Sequence, residues 1–417
     1  MRCWRRAFGA TSLLFGATWL GCADETERGS ELSVAHGDSA GISIVTISGD
    51  VADLPIWTVS ESPVAEVSGE APPYLGSVGE VEILSTGELL IEDNQTAELH
   101  LFDPSGAHVR VISGRGDGPG EFRNLRELSV AAGDTFWTYD GRHYRLSAFA
   151  PTGELIGEIT LGRELAGSTS LAFDAWAIDS DHLVVYSIGP GDNGRPSGPA
   201  RRDQRYAILH ALNGAGEERV ASVWFTGGYS IRGDHGDASS PFANRPFVSV
   251  RAGRVLHGSG LFYELTLRDA SLVPSRIIRW SGWVQPLTET ALEEARETFD
   301  RSLETLREAQ PEIASTLFEA LFSPDVLPGE LPALSSAFLD DEGRMWVSRF
   351  RLLGDPFSED DAWHVLDSDG TPLARVQLPP RVRLSDVRGD RVILVMRDSV
   401  DVEHVRVFAL QDLGGTR

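Results

Sequence analysis

From Ile42 to Leu410 the chain alternates short runs of apolar or β-branched residues with turns rich in Gly, Asp, Asn and Pro. That pattern predicts an all-β sandwich, barrel or propeller. Several segments repeat one design, in which a strand, a polar turn and a second strand follow one another. They are Leu101–Val109 around Asp103-Pro104-Ser105-Gly106, Ala148–Leu155 around Pro151-Thr152-Gly153, Leu209–Gly214, Val365–Gly370, and a degraded copy at Leu267–Leu272. Gly at such turns supplies the positive φ that a tight hairpin demands. The first two copies lie 47 residues apart, from Gly106 to Gly153, a spacing expected of four-stranded propeller blades. Counting on that basis predicts six blades, at 74–113, 125–162, 170–225, 244–284, 333–379 and 382–410, with an N-terminal strand, 42–48, completing the last. Strand 403–410 alternates cleanly, and Val392–Met396 is a continuous apolar run suited to a strand buried on both faces. Ring closure leaves no long unpaired edge to aggregate.

One segment breaks the β pattern. Leu292, Ala295, Phe299, Leu303 and Leu306 fall at helical spacing with Glu and Arg between them, which predicts an amphipathic helix over 288–309. Thr290 and Glu293 fit a capping box near its start. Pro311 opens a second helix with Ile313, Leu317 and Leu321 on one face. Residues 286–330 are therefore expected as a helical insertion between blades four and five, packed on the propeller or, in a sharper reading, covering its channel.

The first residues carry an address. Arg2, Arg5 and Arg6 precede an apolar stretch from Ala7 to Gly21 that is too short to span a bilayer comfortably. It ends in Trp19-Leu20-Gly21-Cys22, which resembles the bacterial lipobox, with Trp19 where Leu is usual. Residues 1–21 are thus expected to be a lipoprotein signal peptide and Cys22 the lipidated residue. Residues 22–40, polar, small and acidic, are expected to be a flexible tether, and 41–412 the propeller. Ala23 follows the Cys in place of the Asp that retains many lipoproteins at the inner membrane. Anchoring at the outer membrane, facing the periplasm or the surface, is the resulting expectation.

Composition narrows the chemistry. The chain has 417 residues, 62 acidic against 37 basic, and a net charge of −25. Every basic residue is Arg. The absence of Lys excludes Schiff-base and pyridoxal-phosphate chemistry and a P-loop, and the acidic balance excludes nucleic-acid binding. Loss of the leader removes three Arg and no acid, so the net charge falls to −28. It also removes Cys3 and leaves Cys22 as the sole Cys, excluding an intramolecular disulfide.

Ser113-Gly114-Arg115-Gly116-Asp117-Gly118-Pro119-Gly120-Glu121-Phe122 resembles the G-x-G-x-GPGEF signature of bacterial six-bladed β-propeller proteins related to NHL repeats. Leu339-Asp340-Asp341-Glu342-Gly343-Arg344-Met345-Trp346-Val347 resembles the D-x-x-G-x-x-W-V strand pair of that family, and Asp401–Phe408 its usual closing strand. The resemblance implies a six-bladed propeller over 42–410 and a lipoprotein or secreted protein. It also implies a possible channel chemistry, since relatives include metal-dependent lyases and lactonases that use His and carboxylates on inner strands. Here the inner strands carry Glu80, Glu82, Asp174 and Asp386 but no His.

Zincin and dinucleotide signatures are missing, and no His pair has metal-ligand spacing. Asp367-Ser368-Asp369-Gly370 hints at a calcium loop but reads more simply as a turn. No catalytic residue, metal ligand or cofactor is assigned. Arg126, Arg245 and Arg383 fall near the starts of the inner strands of alternate blades, where they could form an anion site or each pair with a neighbouring acid. Tyr263, Trp346 and the loop 187–203 are candidate rim residues. The leading expectation is a monomeric, non-enzymatic, lipid-anchored scaffold that binds an envelope protein, peptide or glycan, including an anionic one. It touches the membrane through its lipid alone. A metal-dependent hydrolase or lyase and a structural component of an envelope complex are the alternatives.

Overall fold

The computed structural model describes residues 31–412 except 71, 162–171, 180, 190–200, 217, 234–235, 284 and 353–361. The leader, Cys22 and most of the loop 187–203 lie outside these residues.

The described strands form a ring of six blades. Blade one is Val78–Ile83, Leu89–Asp93, Glu98–Phe102 and His108–Ser113, and blade two is Leu125–Val130, Phe136–Asp140, Arg145–Phe149 and Leu155–Thr160. Blade three starts at Ala172–Ala177 and His182–Gly189 and continues into a long hairpin, Arg201–Asn213 with Arg219–Gly233, edged by Gly236–Ser239. The inner strands of blades four, five and six are Phe247–Arg251, Leu334–Leu339 and Val382–Arg388.

An apolar core fills each junction between neighbouring blades. Phe122, Leu128 and Phe149 of blade two meet Leu90, Leu99 and Leu101 of blade one. Similar clusters join two to three, three to four, four to five, five to six and six to one. Six junctions with a core at each make the six-bladed β-propeller that the pattern predicted.

A short N-terminal strand closes the ring, but it is Ala65–Val67 and not 42–48. It pairs antiparallel with Glu403–Asp412, with Val67 opposite Val405 and Glu66 opposite Arg406, and Arg406 Nη2 lies 2.8 Å from Glu66 Oε1. A three-residue strand is too brief to stand out as an apolar run. Gly106 marks how closely it packs: at φ +90° a Cβ there would sit 2.0 Å from the Glu66 carbonyl oxygen, so the turn of blade one admits only Gly. Ile42–Ser48 instead adds to the outside of blade four, parallel to Pro274–Trp280. Ser33–Ser39, which the composition placed in the tether, is a further strand paired with Ile42–Ser48. Ala40 and Gly41, both at positive φ, make the two-residue turn between them. Its polar composition reflects an exposed edge strand.

The helical insertion is present as α1 (Glu289–Ser302), α2 (Glu304–Ala309) and α3 (Pro311–Leu321). The N-cap of α1 is Thr288, whose Oγ1 accepts from Ala291 N at 3.2 Å, two residues before the expected capping box. Ala295, Leu321 and Phe322 pack on Tyr229, Ile231 and Phe242, the extension of blade three. Arg202 Nε donates to Val326 O at 2.8 Å across the same contact. None of the described residues of the insertion lines the channel, so it braces the flank.

The Asp turns have a common cause. In Asp103, Asp269, Asp340, Asp367 and Asp398 one carboxylate oxygen accepts the N–H groups two and four residues ahead. The side chain thereby imitates a further backbone turn. At Asp367 this use of Oδ1 accounts for the calcium-like sequence. The GPGEF segment crosses from blade one to blade two and is anchored by Phe122, 1% exposed. Its amides are already served, with Gly118 N donating to Glu121 Oε2 and Gly120 N to Glu158 Oε1, both at 2.8 Å.

Candidate functional site: the central channel

The six inner strands enclose a channel of about 460 Å³, within the roughly 300–1,000 Å³ range of small-ligand pockets. Five carboxyl groups line it (Glu80, Glu82, Glu127, Asp174 and Asp386), together with three guanidiniums (Arg251, Arg351 and Arg383). The acids are unevenly spread. Glu80 and Glu82 belong to blade one, Glu127 to blade two and Asp174 to blade three, whereas blades four and five contribute Ser249, Ser336 and Phe338 beside Arg251 and Arg351.

One end of the channel is crossed by Arg251. From the end of the blade-four inner strand its Nη1 donates to Asp386 Oδ1 at 2.6 Å and its Nη2 to Asp386 Oδ2 at 3.1 Å. Nη2 also donates to Glu82 Oε2 at 2.6 Å, on blade one. One guanidinium thus ties blade four to blades six and one. Burial disfavours its charge, but Glu82 and Asp386 outweigh that and hold it firmly protonated. Glu82 is pushed well above the usual carboxylate range by burial and, despite Arg251, by Asp386, with which it shares a hydrogen bond. A hydrogen bond between two carboxyl groups needs one proton, which the pair shares.

Glu80, Glu127 and Asp174, each the third residue of its inner strand, add further acids to the channel. Burial is the main cause that raises Glu80, Glu127 and Asp174, and their mutual repulsion adds to it for Glu80 and Glu127. Glu92, 2% exposed, stands behind Glu80 and accepts from Glu80 N at 3.0 Å. Gly79 makes room for it, since a Cβ there would lie 2.2 Å from Glu92 Oε2. Burial pushes Glu92 up to about 7, with the Glu80 backbone hydrogen bond opposing and the Glu80 charge assisting. The folded protein therefore keeps a proton that the unfolded chain loses above the ordinary carboxylate pKa. Stability is expected to fall as pH rises from about 4.5 to 7, by about 3 kcal/mol from this residue. Glu92→Gln should match the wild type near pH 4 and exceed it by that amount at pH 8. Urea unfolding across this range checks it, and parallel profiles would contradict it.

The three arginines singled out from the sequence do not converge. Arg383 lines the channel, but its Nη2 donates to Val78 O at 2.9 Å and Gly79 O at 2.8 Å, tying blade six to blade one. Arg126 stacks on Phe173, 3.9 Å from the ring centroid, and pairs with Asp174 at 3.2 Å, tying blade two to blade three. Arg245 precedes the channel-lining Pro246 and faces Arg351. Burial, then Arg351, lowers its pKa, and its buried Nε has no hydrogen-bond partner among the described residues. A side chain reaches the next blade before it reaches the alternate one, so neighbouring pairs win over a three-fold cluster. Tyr263 and Trp346 are not rim residues. Tyr263, 3% exposed, hydrogen-bonds His364 Nε2 between blades four and five, and Trp346, 0% exposed, donates from Nε1 to Asp340 Oδ2 at 2.9 Å. Each fills a blade core because a large ring there buries more apolar surface than a rim position allows.

Among the described residues no group of three His, Cys, Asp or Glu side chains could hold a metal ion, and no helix is long and apolar enough to cross a membrane. Arg251 and Arg351, which complete the charged lining of the channel, were not singled out by sequence reasoning; alternation along the inner strand was the signal available for Arg251.

No curated protein matches the chain. Among solved structures, it is similar to a Bacteroides fragilis protein provisionally named as exported, at 12% identity over 89% of this chain and 100% of that one, with a TM-score of 0.48. A member of the duf4221 family from Bacteroides vulgatus matches at 9% identity over 91% and 98%, with a TM-score of 0.43. The calcium-binding protein regucalcin from Agrobacterium tumefaciens matches at 11% over 85% and 96%, with a TM-score of 0.38. Residues 73–181, from blade one into blade three, match the family model described as DUF5128, 6-bladed beta-propeller. The chain is a six-bladed β-propeller that carries, over those residues, the sequence pattern of that family.

Proposed function

We propose that this protein is an exported, lipid-anchored binding scaffold of the cell envelope, with the central channel as its ligand site. The observation that carries the reading is the channel itself: a cavity of about 460 Å³ into which all six inner strands direct polar or charged side chains. A ring closed by Ala65–Val67 and braced by Arg251 holds those groups at fixed positions, and preorganisation lowers the entropic cost of binding. The ligand is a protein segment, peptide or glycan. The address rests on the leader and on Trp19-Leu20-Gly21-Cys22. Cys22→Ser is expected to abolish incorporation of labelled palmitate and to move the protein from the membrane to the soluble fraction; unchanged fractionation would contradict the anchor.

The channel reading is tested with peptide and glycan arrays on the mature protein and on Ser336→Trp, which places an indole in the channel. Specific binders should be lost from the variant at unchanged melting temperature. Binders that persist with the channel filled, or ligands that are chemically converted, would overturn the reading.

A further inference from the structure

The outer edge of blade one holds a pair of imidazoles that the channel does not use. His100, 2% exposed, lies on the third strand, Glu98–Phe102, and His108 opens the outermost strand, His108–Ser113. The turn around Asp103 brings them together, with His100 Nδ1 3.3 Å from His108 Nε2. Both rings pack around Phe102, His108 edge-on at 5.2 Å between centroids and His100 tilted at 6.2 Å, and this packing fixes their separation. Two imidazole nitrogens about 2.0–2.1 Å from one tetrahedral zinc ion lie about 3.3–3.4 Å apart. Right-angle ligation, as in a square-planar copper site, would bring them to about 2.8 Å. The observed distance is the tetrahedral one. The other nitrogen of His100 supports the same reading. His100 Nε2 is closed to solvent and makes no well-aligned hydrogen bond among the described residues, but Glu98 Oε2 lies 3.4 Å from it. A carboxylate there holds the ring proton on Nε2 and leaves the Nδ1 lone pair to a cation. Burial lowers the pKa of His100, which keeps the ring in the neutral form that a metal needs.

We propose that His100 Nδ1 and His108 Nε2 form a two-histidine site for a divalent transition ion, with zinc the best fit, Glu98 orienting His100 and water filling the remaining positions. The proposal goes beyond the channel reading and does not depend on it. Only two protein donors meet the ion, in keeping with the lack of three converging side chains among the described residues. Imidazole ligands select zinc over calcium and magnesium, which prefer oxygen. His108 is exposed at the blade edge, so the ion enters from solvent. The pair does not show in the sequence because eight residues and a register shift between Leu101 and Phe102 separate its members.

The test is calorimetric titration of the mature protein with Zn2+ in excess Mg2+, which occupies exposed carboxylates. One equivalent of zinc is expected to bind. His108→Ala removes an exposed side chain and should abolish that equivalent, and Glu98→Gln should weaken it about tenfold, the effect of losing the partner that orients a ligating His. Nitrogen-15 spectra of the unmutated protein give a second measurement that needs no variant: zinc should shift His100 Nδ1 and His108 Nε2. Zinc that binds His108→Ala as well as it binds the parent, with both ring nitrogens unshifted in the parent, is an adventitious ion only and overturns the proposal. So does the absence of a zinc equivalent in the unmutated protein.

Discussion

Replacing Arg251 by Ala is expected to destabilise the propeller by about 3–5 kcal/mol, the range for breaking a buried ion pair from one side. The guanidinium bridges Asp386 and Glu82 and also donates to Val387 O at 3.3 Å. Its side chain is 11% exposed, and those of Glu82 and Asp386 are 14% and 5%. Without it two carboxyl groups from neighbouring blades face each other in the channel with no cation between them. Glu82→Gln is expected to differ sharply. The pair already shares one proton, and an amide in place of the Glu82 carboxyl donates that hydrogen bond in its stead, so the loss should stay below about 1 kcal/mol. Urea midpoints at pH 7 check both. If Glu82→Gln costs as much as Arg251→Ala, the two carboxyl groups share no proton and the reading of the pair is wrong.

The second large effect is expected at Asp340. All five turn aspartates accept two backbone N–H groups, but Asp340 is 0% exposed and accepts further bonds from Trp346 Nε1 at 2.9 Å and from Arg344 Nε. Arg344 in turn donates to Gly389 O at 2.7 Å, reaching blade six. Asp340→Ala leaves the indole N–H, two amides and the Arg344 Nε–H without their acceptor, for a loss of about 3–4 kcal/mol. Asp367→Ala removes only the two backbone contacts of a similar turn, and about 1 kcal/mol is expected there. Thermal melts of the two variants side by side give the comparison, and equal shifts would show that the link to Trp346 and Arg344 contributes nothing.

The Asp340 network also explains why so much of the fold was legible. The D-x-x-G-x-x-W spacing is a local necessity: the Asp must turn the chain, the Gly takes positive φ, and the Trp falls within reach of the Asp on the following strand. Turn chemistry and alternation are short-range, so strands, blades and the helical insertion could be read along the chain. Pairing between distant segments could not. Ile42–Ser48 has the pattern of a strand, but nothing in it specifies blade four over blade six, and Ala65-Glu66-Val67 is too brief to register as a strand.

The same limit governs the site. The positions of Glu80, Glu82, Asp174 and Asp386 on inner strands followed from alternation, and the channel lining bears that out. What Arg126, Arg245 and Arg383 touch depends on which blade is nearest in space. Arg126 falls where the register of its strand skips a residue, between Leu125 and Glu127, and such a bulge leaves no trace in the periodicity. Tyr263 and Trp346 illustrate the opposite error, because an aromatic residue on a blade reads equally well as rim or core until its neighbours are known.

The central claim is that the channel holds the ligand, and a crystallographic difference map of the complex with the tightest array ligand tests it most directly. The account predicts continuous ligand density inside the ring, in contact with the polar side chains of the inner strands. Density confined to the outer blade edges or the helical insertion, with the channel holding only water at saturating ligand, would contradict it.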